Sequence, residues 1–238
     1  MHRLLALPLL LIPLLAGPPA ARAGEAVLVE LYTSQGCSSC PPAEAYLADE
    51  LAERAGVVAL ELHVDYWDYI GWRDPFADPA FTARQRAYAR AMAERTVYTP
   101  QMIVDGRTHV VGSRPQAVEA AIAEARAARP ADAPRLAIAR TPTGWRIAID
   151  GPAPRAALTL FAAGFDARRE TAVKRGENAG ARLVNAHVAR SLQVLARWRG
   201  GTQTLTLPAD ALAGDGGIAA WLQAGPDGAV KAAAIGRR

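Results

Sequence analysis

The sequence predicts an α/β unit followed by a small antiparallel β-sandwich. Three observations carry this. Apolar runs of strand length alternate with helix-length stretches as far as residue 129. Pro130-Ala131-Asp132-Ala133-Pro134 then interrupts the pattern. Beyond it, short apolar segments are separated by Gly, Pro and Asp, the punctuation of a turn-rich antiparallel domain.

The elements follow in order. Met1-His2-Arg3, an apolar run from Leu4 to Ala16 and the small-x-small triplet Ala21-Arg22-Ala23 form the three parts of a secretory signal. That run has 13 residues and contains Pro8 and Pro13, too short and broken to span about 30 Å of hydrocarbon. Residues 1–23 are therefore read as a signal peptide, and the mature chain starts near Gly24 with no membrane span. A periplasmic or secreted location follows. Val27 to Tyr32 reads as a strand buried on both faces. Thr33 to Gly36 is a polar turn, and Cys37 to Ala55 a helix with Tyr46, Leu47 and Leu51 inward and Gly56 as its stop. Val57 to Val64 is a second strand and Pro79 to Arg95 a second helix. Met102 to Val104 and Thr108 to Val111 form a hairpin across Asp105-Gly106. Gln116 to Arg129 closes the first unit, residues 24–130. Residues 135–238 hold eight short strand candidates, among them Leu158–Phe161, Leu183–Val188 and Ser191–Trp198.

Composition excludes some functions. Removing Arg3 and Arg22 from 27 basic residues leaves 25 against 23 acidic ones. With no basic run, nucleic acid is not a partner. Neither a phosphate loop nor a hydrolase triad pattern is present.

The chemistry concentrates at Cys37-Ser38-Ser39-Cys40, which holds both cysteines of the chain. In a first helical turn the i,i+3 spacing puts the two Cα atoms about 5–5.5 Å apart, within reach of a disulfide. Helix N-terminal N–H groups favour a thiolate at Cys37 and lower its pKa from about 8.5. Cys37 is then the solvent-facing nucleophile, and Cys40 resolves the mixed disulfide. A structural staple is the plainer alternative, but so small a loop gains little chain entropy.

Residues 31–33 with Gly36-Cys37-Ser38-Ser39-Cys40-Pro41, and Val97 to Gly106 around Thr99-Pro100, resemble the active-site and cis-proline loops of thioredoxin-like proteins. Residues 29–42, His63 to Trp72 and Arg175-Gly176-Glu177-Asn178 are more specifically similar to a family of secreted bacterial proteins of unknown function with a thioredoxin-like domain. The implied architecture is a thioredoxin-like domain followed by the small antiparallel sandwich. The family resemblance implies no substrate; the C-x-x-C chemistry is what points to thiol–disulfide exchange on protein or peptide thiols, without a cofactor. The resemblance also implies that Pro100 faces the cysteine pair and that Thr99 presents its backbone to an extended substrate. Glu30, a carboxylate in an apolar strand, is implied as a general base near Cys40; the alternative is a Glu paired to an arginine.

Five aromatics, Tyr66, Trp67, Tyr69, Trp72 and Phe76, crowd residues 66–78. They either wall the cysteine site and grip a peptide, with Tyr66, Trp67 and Trp72 as contacts, or form a satellite core. No metal ligand set is assigned. Copper or zinc handling through the same cysteines with His63 and Asp65 is one alternative, and a non-catalytic binding module another. Arg175 to Asn178 reads as a turn, and the oligomeric state is left open.

Overall fold

The computed structural model describes residues 26–225 and 227–238. The signal segment, residues 1–23, lies outside the described residues. The chain order is β1 (Val27–Thr33), α1 (Pro41–Tyr46) running into a wider π turn (Leu47–Leu51), β2 (Val57–His63), a 3-10 turn (Asp68–Ile70), α2 (Pro79–Ala91), β3 (Gln101–Val104), β4 (Thr108–Val111) and α3 (Pro115–Ala127). There follow β5 (Arg135–Thr141), β6 (Gly144–Asp150), β7 (Leu158–Ala172), β8 (Arg182–Trp198), β9 (Gln203–Pro208), β10 (Gly217–Gln223) and β11 (Val230–Arg237).

The local causes are visible. All seven residues of β1 and of β2 are buried, which suits runs that are apolar on both faces. The two strands pair in parallel, β3 adds antiparallel to β1, and β4 adds antiparallel to β3. Asp105 and Gly106 take positive φ in the three-residue β3–β4 turn, which Arg107 N–H closes on Val104 O at 3.0 Å. At the start of α2, Asp78 accepts the Ala80 N–H at 2.8 Å and Pro79 occupies the first turn.

The expected architecture, a thioredoxin-like domain followed by a small antiparallel β-sandwich, is not the one found. Among the described residues strands dominate, with 42% in strands and 19% in helices. One mixed sheet of eight strands runs β11-β10-β7-β8-β2-β1-β3-β4, and a second sheet holds only β5-β6-β9. The two halves join where β8 pairs in parallel with β2 at Glu61 and Val188. The segments read as Leu158–Phe161, Leu183–Val188 and Ser191–Trp198 belong to a single long hairpin of 15- and 17-residue strands. Register shifts after Leu160 and Gly164 bend it, so its hydrophobic pattern breaks while its backbone pairing continues.

Burial follows the same continuity. Val27, Val29 and Leu31 face Leu47, Leu51, Val118 and Ile122 of the α1–α3 layer. On the other face, Leu28, Tyr32, Phe81 and Tyr88 share one core with Phe161, Phe165, Trp221 and Ala233 from the C-terminal strands. A third cluster packs the small sheet, through Leu136, Trp145 and Ile147, against Leu160, Ala220 and Ala232.

A buried ionic network stitches the second of these cores. Glu30 on β1 accepts from Arg84 Nε at 2.6 Å, from Arg84 again at 3.1 Å and from Tyr88 at 2.7 Å. Arg84 also donates to Gln223 on β10 at 3.0 Å, and its guanidinium lies 5.0 Å from the ring centres of Phe161 and Trp221.

Candidate functional site

The loop after β1 carries the cysteines. Cys37 N–H donates to Ser34 O at 3.0 Å and Cys40 N–H to Cys37 O at 3.2 Å, so the chain coils tightly into α1. Cys37 and Cys40 form a disulfide with Cα atoms 5.5 Å apart. Both are buried, at 1% and 0% exposure, so Cys37 is not the solvent-facing sulfur that its place at a helix start predicted. Three neighbouring segments cover it.

The first is the loop before β3. The Thr99–Pro100 peptide is cis, and the Thr99 hydroxyl donates to Cys37 Sγ at 3.2 Å. Trp67 Nε1–H donates to the same hydroxyl oxygen at 2.8 Å. A hydroxyl that accepts from the indole keeps its own proton for the sulfur, so Trp67 aims Thr99 at Cys37. Ser39 Oγ lies 3.3 Å from Cys37 Sγ.

The aromatic loop is the second. Trp72 Nε1–H donates to Gln35 Oε1 at 3.2 Å. Tyr66 donates to Gln85 at 3.2 Å, and Gln85 in turn holds Tyr98 O at 2.9 Å, just before Thr99. A Cβ at Gly36 would stand 3.2 Å from Trp67 Cβ and 3.3 Å from Ile70 Cδ1, so glycine spares the loop a tight contact where the aromatic segment closes on it. The polar ends of Tyr66, Trp67 and Trp72 thus point inward and brace the site, while Tyr69 stands 82% exposed.

The third segment comes from the far end of the sequence. In the β7–β8 turn, Asn178 Nδ2 donates to Gln35 O at 2.9 Å and to Cys37 O at 3.0 Å. Glu177 accepts the Ser38 N–H at 3.0 Å. Gly176, at φ +78°, makes the turn. The reading of Arg175 to Asn178 as a turn without a role missed this, because 139 to 143 residues separate the partners.

Glu30 does not reach the pair. Along β1 the side chains alternate, and Glu30 shares the α2 face with Leu28 and Tyr32, whereas α1 packs on the opposite face with Val29 and Leu31. It is held by Arg84 instead, the alternative weighed for it. The carboxyl on the α1 face is Glu44, one turn after Cys40, with its N–H on Cys40 O. It is 1% exposed and accepts from the Thr33 hydroxyl at 2.6 Å. Behind it lie Glu61 and His63 on β2 and Asp74 from the aromatic loop. Asp74 contacts His63 Nδ1 at 2.7 Å and accepts the Gln35 N–H at 2.7 Å, which ties this network to the cysteine loop. His63 is thus committed to carboxylates, and Asp65 to the Thr82 hydroxyl at 2.6 Å. Among the described residues no group of three His, Cys, Asp or Glu side chains is arranged around a common metal position.

Burial, with Glu61 nearby, pushes the Glu44 carboxyl up to about 8. Burial alone would lower His63, but Asp74 and Glu61 outweigh it and raise the imidazole to about 10. Both groups hold their protons more tightly folded than unfolded. Their stabilisation is full below the ordinary 4.5 and 6.5 and is lost as pH rises through about 8 and about 10. The melting temperature should therefore fall from mildly acid to alkaline pH. Glu44→Gln should flatten the part below about pH 8, seen in thermal melts across that range; an unchanged slope would contradict the assignment.

A family model described as a protein of unknown function, DUF1223, matches residues 28–223. A crystal structure of a protein from Agrobacterium tumefaciens is 33% identical, covers 90% of this chain and 95% of its own, and has a TM-score of 0.72. HBP35 of Porphyromonas gingivalis shares the fold at 14% identity, with 91% and 76% covered and a TM-score of 0.61. No functionally curated protein matches. With most of its length matched and a third of its residues shared with the Agrobacterium protein, the chain belongs to the DUF1223 family of proteins of unknown function.

Proposed function

We propose that the chain is an exported thiol–disulfide exchange protein acting on protein or peptide thiols through Cys37 and Cys40. The observation that carries this is the donor aimed at Cys37 Sγ, the Thr99 hydroxyl oriented by Trp67. A staple needs no such donor; a nucleophile gains from one placed where thiolate charge develops. Export is supported by the pattern of residues 1–23, and a lasting disulfide fits an oxidising compartment.

In the reduced protein, the Cys37 thiolate attacks a substrate disulfide, forms a mixed disulfide and releases one substrate thiolate. Cys40 then attacks the Cys37 sulfur and releases the second, so two electrons pass from the pair to the substrate. The same bonds run in reverse with a dithiol substrate. Glu44, one turn after Cys40 on α1, is the buried carboxyl positioned to take the proton from Cys40 as it attacks, and its raised pKa keeps it a base strong enough for a thiol.

One observation favours a second reading. Both sulfurs are buried, which suits a disulfide that only braces a binding module with the aromatic loop as its grip. Thr99→Val separates the two readings. It keeps the shape and removes the donor, so peptide-disulfide exchange should slow by about tenfold, one pKa unit of lost thiolate stabilisation. Wild-type protein that shows no exchange above the uncatalysed rate would favour the binding module.

A further inference from the structure

The β7–β8 turn does more than cover the cysteine loop. It bonds the backbone on both sides of Cys37, at Gln35 and Cys37 through Asn178 and at Ser38 through Glu177. Hydrogen bonding from Ser38 holds the Glu177 carboxyl below its ordinary range, so it carries a full negative charge near neutral pH. That charge is held on the Ser38 amide, the residue next to Cys37, so a Cys37 thiolate and the Glu177 carboxylate would repel each other. The oxidised pair carries no charge and tolerates Glu177; the reduced pair does not. The other acids near this loop are accounted for: Asp74 faces His63 and accepts the Gln35 N–H, and Glu44, largely protonated near neutral pH, accepts from Thr33.

We propose that Glu177 and Asn178 form a redox-sensitive latch, closed over the Cys37–Cys40 disulfide and released when Cys37 becomes a thiolate. Gly176 and Gly180, at φ +78° and +85°, flank the two latch residues. Closed, the latch keeps Cys37 buried and shields the disulfide from attack; open, it bares the thiolate to substrate and the Thr99–Pro100 loop beside it. A protein built this way resists casual reduction yet engages substrate once reduced. The inference deepens the exchange reading and rests on it for its purpose, but not for its test.

The test uses the full mature chain and dithiothreitol. One reagent thiolate attacks the disulfide, the second reagent thiol closes a cyclic disulfide, and both cysteines leave as thiols. The rate is read by quenching with an alkylating agent and weighing the product. Glu177→Ala and Asn178→Ala should each be reduced about tenfold faster than wild type, through the loss of one charge-assisted hydrogen bond in the first and of two neutral ones in the second. Hydrogen exchange at the Ser38 amide supplies the second measurement. In wild type it should be slow when oxidised and about tenfold faster when reduced. In Glu177→Gln, which keeps an acceptor and loses the charge, the amide should stay protected in both states. Thermal melts show whether a variant is merely unfolding; if one is, the wild-type exchange comparison still decides. Equal Ser38 exchange in the two redox states, or reduction of both alanine variants at the wild-type rate, would overturn the latch. A small dithiol reduces staple and exchanger alike, so failure here leaves the peptide assay to judge the exchange reading separately.

Discussion

Glu30→Ala lowers the melting temperature by about 6–20 °C and leaves the chemistry of the cysteines alone. Glu30 is fully buried and receives four hydrogen bonds, two from Arg84 and one each from Tyr88 and Tyr32. Removing it takes the countercharge from the buried guanidinium, which lies among Tyr88, Phe161 and Trp221. Breaking a buried pair from one side costs about 3–5 kcal/mol, a large share of the roughly 5–15 kcal/mol that holds a domain folded. The loss should reach both ends of the chain, because Arg84 connects β1 to β10 through Gln223. Glu30→Gln keeps an acceptor and should cost less. Replacing Glu30 and Arg84 together by Met should recover much of the loss, since an apolar pair leaves no orphaned charge. Thermal melts check the stability and peptide-disulfide exchange checks the chemistry. A stable Glu30→Ala variant with slowed exchange would return Glu30 to the catalytic role its place in the sequence implied.

Cys37→Ser abolishes disulfide exchange, whereas Cys40→Ser leaves a single attack that cannot resolve. The asymmetry follows from the donors. Cys37 Sγ receives the Thr99 hydroxyl and lies beside that of Ser39, while the Cys40 backbone is spent on α1, its carbonyl accepting Ala43 and Glu44 N–H. Thiolate character therefore gathers at Cys37, and attack begins there. Multiple-turnover exchange should fall to the uncatalysed rate in both variants, but only Cys40→Ser should accumulate a covalent adduct. Adducts of equal yield in the two variants would mean that the donors do not discriminate between the sulfurs.

Much of this arrangement could be read before the structure. Apolar runs marked β1 and β2, Asp105-Gly106 marked the β3–β4 hairpin, and Thr99-Pro100 was placed opposite the cysteines, where its hydroxyl meets Cys37. The failures have physical causes. A strand buried on both faces has no polar side, so the pattern of β1 did not say which face Glu30 takes; the position of α2 and Arg84 decides it. Glu44, in a first helical turn behind two prolines, looks like an exposed acid facing a helix dipole. Its burial depends on β2 and β8 closing over it, a contact between distant segments. The long β7–β8 hairpin was hidden because its register shifts and charged outer half break the period of two that marks strands. The clasp of Asn178 on the cysteine loop joins residues 141 apart and leaves no local signature.

The most direct test of the exchange reading is the intact mass of Cys40→Ser after incubation with a disulfide-bonded peptide. The account predicts one peptide attached per protein, mapped by digestion to Cys37, released by dithiothreitol and absent in Cys37→Ser. Unmodified protein after prolonged incubation, while the folded wild type keeps its disulfide intact against peptide thiols, would contradict it and leave the Cys37–Cys40 bond as a staple.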